Sequence, residues 1–279
     1  MEPLDGDRTA RWLSENTLTT HTDPAELARA KAASGLTISV CLPALNESAT
    51  IGAICELIRG RLMIEHDLVD ELVVIDSGST DDTVELARAA GATTYRAQEL
   101  ALPDRPLMGK GDCLWRSLSV LQGDVVVWLD SDTRNMHEGF VTDLVAPLLH
   151  RHDLAMTKAF YHRPLETDDG LVAGGGARVT ELLVRPMLQL FCPELAAFVQ
   201  PLSGEYAARR EVLLDLPFLT GYAVEIGLLI DVAERHGVDR IAQVDLGTRV
   251  HRNRPVVELG TTAFEILLGM LMRFDAAGL

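Results

Sequence analysis

Long apolar runs are missing from this chain. The longest late one, "FEILLGMLMRF" from Phe264, is too short to span a bilayer. The opening "MEPLDGDRTARW" has early acids and no apolar core, so it does not read as a secretory signal. Cysteine is sparse: Cys41, Cys55, Cys113 and Cys192 form no C-x-x-C pair, and each sits in or beside an apolar pattern. That predicts reduced, buried, structural thiols and a cytoplasmic setting. Positive charge is also short. Twenty-five Lys and Arg stand against 41 Asp and Glu, a net charge of −16. This argues against nonspecific nucleic-acid binding and against adhesion to acidic lipid. Any anionic substrate must then be met by a local basic cluster. There is no internal repeat, no low-complexity tract, no P-loop spacing and no G-x-G-x-x-G string.

What is present is an ordinary globular composition, 47% hydrophobic and 24% charged. A length of 279 residues suits one large α/β domain with an elaborated second half. The first half alternates strand and helix. "LTISVCLPA", "VDELVVIDSGST", "TTYRA", "GDVVVWLDSD" and "LAMTKAFYHRP" read as strands, and the segments between them have helical periodicity and caps. Unbroken Val/Ile/Leu runs imply strands covered on both faces, hence a mostly parallel, Rossmann-like sheet with helices on each side. We expect three segments: residues 1–35 as an N-terminal helical arm, 36–160 as an α/β half, and 161–279 as a second half ending in helices.

Ligands of such sheets bind beyond the carboxyl ends of the strands, so the polar strand tips belong together. "DSD" places Asp130 and Asp132 on either side of Ser131, where two carboxylates suit a hard cation bridging a diphosphate. Alone the pattern is weak, because Asp is a common turn residue. In "DSGSTDDT", Asp76 and Ser77 at the strand tip are the functional candidates, while Asp81 and Asp82 fit a helix start. In "PALNE", Glu47 either complements the dipole of the next helix or accepts from a ribose or base edge. Lys110, between glycines in "GKG", suits a phosphate or base contact. "GGGARVTE" offers backbone amides at a helix start with Arg178 and Thr180, an anion site. "TRVHRNRP" crowds Arg249, His251, Arg252, Asn253 and Arg254 into an otherwise acidic chain, and His251 suits a metal.

Taken in order, "PALNE", "VVIDSGSTDDT", "GKGDCLWRSL", "GDVVVWLDSD", "GGGARVTELLVRP", "QPLSGEYAARRE", "GYAVEIGLL" and "HRNRP" resemble the glucosyl-3-phosphoglycerate synthases of actinobacteria and the related mannosyl-3-phosphoglycerate synthases. The resemblance runs from about Ile38 to Pro255 and implies that 36–160 is the nucleotide-sugar-binding half and 161–279 the acceptor-binding half. It implies a metal-dependent, retaining GT-A glycosyltransferase, active as a homodimer with Mg²⁺ or Mn²⁺. Such an enzyme moves glucose from a nucleotide-sugar, UDP-glucose first, to the 2-hydroxyl of 3-phospho-D-glycerate; GDP-mannose and mannosyl transfer are the alternative.

By the same resemblance, Pro43, Ala44, Leu45, Glu47, Ser77, Lys110, Asp130 and Ser131 meet the donor nucleotide. Asp132 and His251 hold the metal, and Arg178, Val179, Thr180 and Asn253 meet the acceptor. Tyr222 and Glu225 match positions near the sugar. To these we add Asp76 on the donor side and Arg249 on the acceptor side, with Asp132, Glu225 and Lys110 as the catalytic candidates. No carboxylate declares itself a nucleophile, so same-face attack assisted by the leaving phosphate is expected, with Glu225 the first to suspect of a covalent route. Competing classes are a sugar nucleotidyltransferase, which would release pyrophosphate, and a catalytically dead nucleotide-sugar-binding protein. A membrane-bound polyprenyl-phosphate glycosyltransferase is disfavoured by the lack of a spanning segment.

Overall fold

The aliphatic runs become the middle strands of one sheet. The structure, a computed structural model, describes residues 6–19, 21–102, 104–162, 165–167, 170–172, 177–250 and 259–278. The chain opens with α1 (Gly6–Asn16), the two-residue strand β1 (Thr17–Leu18) and α2 (Pro24–Ser34). β2 (Ile38–Ala44) leads to α3 (Ile51–Leu57), which widens into a π-helical stretch as far as Glu65. Next come β3 (Glu71–Asp76), α4 (Thr83–Ala89), β4 (Thr93–Arg96), α5 (Gly109–Ser117), β5 (Val125–Trp128), α6 (Gly139–His150) and β6 (Met156–His162). A small ribbon pairs β7 (Leu165–Thr167) with β8 (Gly170–Val172). α7 (Arg185–Phe191), β9 (Tyr206–Arg209), α8 (Arg210–Leu214), α9 (Val224–His236), β10 (Ile241–Thr248) and α10 (Leu259–Ala276) complete the chain.

Eight strands form the main sheet in the order β1-β10-β6-β9-β5-β2-β3-β4. All its pairings are parallel except those of β9, which runs antiparallel between β5 and β6. Side chains alternate across the strands, so one sheet feeds two cores. Cys41, Val73, Ile75, Val126, Trp128, Tyr206 and Ala208 face α5, α7, α8, α9 and α10. Val40, Leu42, Val74, Val125, Val127 and Ala207 face α2, α3, α4 and α6. The four cysteines are free and buried, as expected. Burial pushes the Cys55 and Cys192 thiols up to about 12, which keeps them unreactive.

Local rules place the helices. Asp23 caps α2 by accepting from the Ala25 amide at 3.0 Å, Pro24 occupies the first turn, and Gly35 ends the helix at φ 70°.

The first 35 residues are more than an arm. Trp12 is buried, donates Nε1 to the Val238 carbonyl at 3.0 Å and packs on Phe198 with ring centroids 4.6 Å apart. Asn16 donates to the Asp239 and Ile241 carbonyls, and β1 pairs in parallel with β10. β10, from the expected acceptor half, in turn lies between β1 and β6. The three expected segments therefore share one sheet.

Candidate active site

Three strand tips are stitched into a single floor. Beyond β2, Asn46 turns the chain at φ 58°, a left-handed conformation that Asn tolerates better than most residues. Its Oδ1 accepts from the Thr80 amide at 2.8 Å, while its own amide donates to Ser79 Oγ at 2.9 Å. The Ser77 amide donates to the Ala44 carbonyl, and Ser131 Oγ donates to the Pro43 carbonyl at 2.7 Å. Thr50 Oγ1 donates to the Ser131 carbonyl. The tips of β2, β3 and β5 are thus fixed relative to one another by short polar contacts.

Over this floor lies a cavity of about 290 Å³ lined by Pro43, Ala44, Leu45, Glu47, Ser77, Gly109, Lys110, Asp130, Ser131, Asp132 and Tyr222. Nine of the ten residues expected on the donor side line it. The tenth, Asp76, does not. It is buried, and its Oδ1 accepts from the Ser79 amide at 2.9 Å, so its carboxylate closes the turn after β3. Asp81 plays a similar local part, accepting from the Ser48 and Thr83 amides and from the Thr83 hydroxyl.

The electrostatics of the floor are a lattice of alternating charges. Lys110 Nζ lies 2.5 Å from Asp130 Oδ1 and 2.7 Å from Glu225 Oε1. Burial pulls the Lys110 ammonium down, but Asp130 and Glu225 together outweigh it and hold its pKa well above the ordinary lysine value. Lys110 is therefore a fixed positive charge.

Arg249 departs from expectation. Anticipated on the acceptor, it is 1% exposed, beneath the aspartates. Its Nη2 donates to Asp132 Oδ1 at 2.6 Å and to Asp130 Oδ2 at 3.1 Å, its Nη1 to Tyr161 at 3.0 Å and its Nε to Thr133 at 3.0 Å, with Glu205 Oε1 also 3.0 Å from Nε. Burial lowers its pKa, and Glu205, Tyr161, Asp130 and Asp132 more than restore it. A guanidinium so engaged orients carboxylates and does not reach a substrate.

Sequence reasoning gave Glu205 no role. It is fully buried and accepts from Tyr161 at 2.6 Å while pairing with Arg249. The available signal was a lone acid at the mouth of an apolar strand, "GEYAA". Gly204, just before it, is also required: a Cβ there would collide with the Asp130 carboxylate.

Other expected residues lie apart. Arg178, Val179 and Thr180 stand at the start of the helical segment that runs into α7, outside this cavity; Val179 packs on the core, Thr180 is buried and Arg178 is half-buried. His251, Arg252, Asn253 and Arg254 lie outside the described residues. Glu225 is buried at the second position of α9, paired with Lys110 and off the cavity lining.

The two aspartates differ in what they offer a cation. Asp130 has both oxygens engaged, by Lys110 and Arg249, whereas Asp132 is the more exposed and meets Arg249 through Oδ1 alone. Among the described residues no three His, Cys, Asp or Glu side chains gather into a metal site. Mg²⁺ and Mn²⁺ commonly take one or two carboxylates and complete their shell with phosphate oxygens and water.

An α/β sheet with paired aspartates at a central strand tip, opening on a nucleotide-sized cavity, is the GT-A glycosyltransferase arrangement, and the model for glycosyl transferase family 2 matches residues 39–192. The chain is 53% identical over 252 residues to the glucosyl-3-phosphoglycerate synthase of Mycobacterium tuberculosis H37Rv, covering 89% of this chain and 76% of that protein. It is 46% identical over 254 residues to that of Petrotoga mobilis, covering 91% and 78%. A crystal structure of the M. tuberculosis enzyme with Mn²⁺, UDP-glucose and phosphoglyceric acid superposes with a TM-score of 0.83 at 48% identity, covering 94% of this chain and 88% of the other. A second, with Mg²⁺ and UDP, also gives 0.83. The chain belongs to the glucosyl-3-phosphoglycerate synthase family.

Proposed function

We propose that this protein transfers glucose from UDP-glucose to the 2-hydroxyl of 3-phospho-D-glycerate, with retention at the anomeric carbon and dependence on Mg²⁺ or Mn²⁺. The observation that carries the proposal is the shared cavity: the donor-side residues of "PALNE", "DSGS", "GKG" and "DSD" line one space at the strand tips. Similarity to enzymes crystallised with UDP-glucose and phosphoglyceric acid supports uridine as the base and glucose as the sugar.

Asp132, with His251, would hold the metal, which when bound supplies Lewis-acid stabilisation of the departing diphosphate. Lys110 adds a fixed positive charge beside the same floor and pairs with Asp130, which faces the nucleotide. Arg249 and Glu205 hold the two aspartates in register from below. Arg178 and Thr180, with Asn253, meet the acceptor's phosphate and carboxylate and orient its hydroxyl, an effect of position. Glu225 is tied to Lys110 and does not line the cavity, which favours same-face attack assisted by the leaving phosphate over a covalent glycosyl-enzyme.

The test is a matrix of UDP-glucose, GDP-glucose, UDP-mannose and GDP-mannose, each with 3-phosphoglycerate or glycerate, with and without Mg²⁺. We expect UDP release only from UDP-glucose with 3-phosphoglycerate and metal. Turnover confined to GDP-mannose, or pyrophosphate as product, overturns the proposal.

We also propose that the protein is a homodimer, on the strength of an apolar stripe on α10, and that it works in the cytoplasm, where its four free buried thiols stay reduced. Among the described residues no helix is long and apolar enough to cross a membrane.

A further inference from the structure

We infer that Glu265, on α10 and outside the donor cavity, is a positioning residue for the donor site: it sets Tyr222 and, through it, the turn that carries Lys110. The inference rests on the donor-cavity reading above.

Glu265 Oε2 accepts from the Tyr222 amide at 3.0 Å. The preceding residue must be glycine for this to happen. Gly221 has φ 62°, and a Cβ on it would collide with the Glu265 carboxylate. Gly221 in turn donates its amide to the Met108 carbonyl at 3.0 Å. Gly109, at φ 75°, lies so close that a Cβ there would meet the Gly221 Cα at 3.0 Å. Lys110 is the next residue.

One carboxylate therefore braces a chain of close backbone contacts from α10 through the 221–222 turn to the 108–110 turn. Both turns put a side chain on the cavity, Tyr222 from one and Lys110 from the other. The same turn opens α9, whose second residue is Glu225, the other partner of Lys110. An acid at the first amides of a helix also suits the positive end of its dipole. Lower down, Gly269 of α10 lets the helix press on Ala223, so the carboxylate is held at a fixed height against the turn. Nothing in the reaction calls for an acid on α10, and the neighbouring Phe264 and Ile266 are apolar. The residue's bonded partner is the cavity wall.

The experiment compares the unaltered chain with E265M, similar in size but unable to accept strongly, and E265Q, which keeps an acceptor oxygen. For each, UDP affinity with Mg²⁺ is measured by calorimetry, KM for UDP-glucose and for 3-phosphoglycerate by UDP release, and Tm by scanning calorimetry. We expect E265M to weaken UDP binding and raise the UDP-glucose KM about tenfold, to leave the 3-phosphoglycerate KM in place, and E265Q to recover most of the loss. Unchanged UDP affinity and KM in folded E265M, whatever its Tm, overturns the inference. If E265M does not fold, exchange of the Tyr222 amide in the unaltered chain decides. Slow exchange that is largely retained in E265Q supports the brace, and exchange as fast as an open loop overturns it. An unaltered chain that neither binds UDP nor turns over contradicts the donor-cavity reading instead, and the amide exchange still judges Glu265.

Discussion

Asp130 and Asp132 stand two residues apart and do different work. Asp130 is held between Lys110 and Arg249, while Asp132 keeps more of its carboxylate towards the cavity. Asp132→Ala should therefore cut turnover by at least about a hundredfold while leaving the fold intact, measured as UDP release at saturating Mg²⁺. Near-normal turnover would remove Asp132 from the metal. At this scale the strand-tip residues were legible because a short motif after a buried strand fixes both where a side chain sits and what it faces. Arg249 was not legible in the same way. A basic string such as "TRVHRNRP" reads equally well as a surface patch, and what buries Arg249 is a set of partners far off in sequence, Glu205, Tyr161 and Thr133. Asp76 lies off the lining of that cavity, because an acid at a strand tip can close its own turn as readily as it meets a ligand.

Where β6 lies against β9, Lys158 stands opposite Tyr206 in register. Its Nζ donates to the Ser203 carbonyl at 2.8 Å and lies 4.9 Å from the centre of the Tyr206 ring. The side chain is fully buried, and burial lowers its pKa to about 8, helped by Lys110 and opposed by Glu225, Glu205 and Asp130. The folded value lies below the ordinary value near 10.5. Between the two the unfolded chain binds more protons, so the cost of burying the charge is full below pH 8 and fades as pH rises towards 10.5. Lys158→Met should stabilise the protein by about 2 kcal/mol at pH 7, less at pH 10. Calorimetric Tm values at the two pH values check this, and an equal change at both would show that the ammonium is not the cause. The strands and most helices were legible from aliphatic runs and caps. The reversed direction of β9 was not, because direction is decided by which neighbours it reaches. The two-residue β1 carries no pattern of its own and exists through its pairing with β10.

On α10, Phe264, Leu268, Leu271 and Met272 are exposed and recur at helical spacing on one face. A chain that buries this face against a second copy should become monomeric when Leu268 is replaced by Glu, read by light scattering after size-exclusion chromatography. A monomer before the substitution would sink the dimer proposal. The α/β class was legible for the whole molecule because alternating elements with short connections leave few topologies open. The closing of the N-terminal helix onto β10 was not, since it depends on Trp12 and Asn16 meeting groups more than two hundred residues away.

The antiparallel pairing of β6 with β9 means that the chain leaves the sheet after His162 and re-enters at Tyr206 on adjoining strands, both at the end where the cavity opens. Residues 163–205 therefore form one excursion anchored at neighbouring points, and they include Arg178 and Thr180. The donor floor is built almost entirely from elements outside it, with Gly204 lying close against the Asp130 carboxylate and Glu205 pairing with Arg249 beneath the aspartates. On the proposal that Arg178 and Thr180 meet the acceptor, such an excursion is an exchangeable cassette: a different one grafted between β6 and Gly204 is expected to meet a different acceptor over the same sheet.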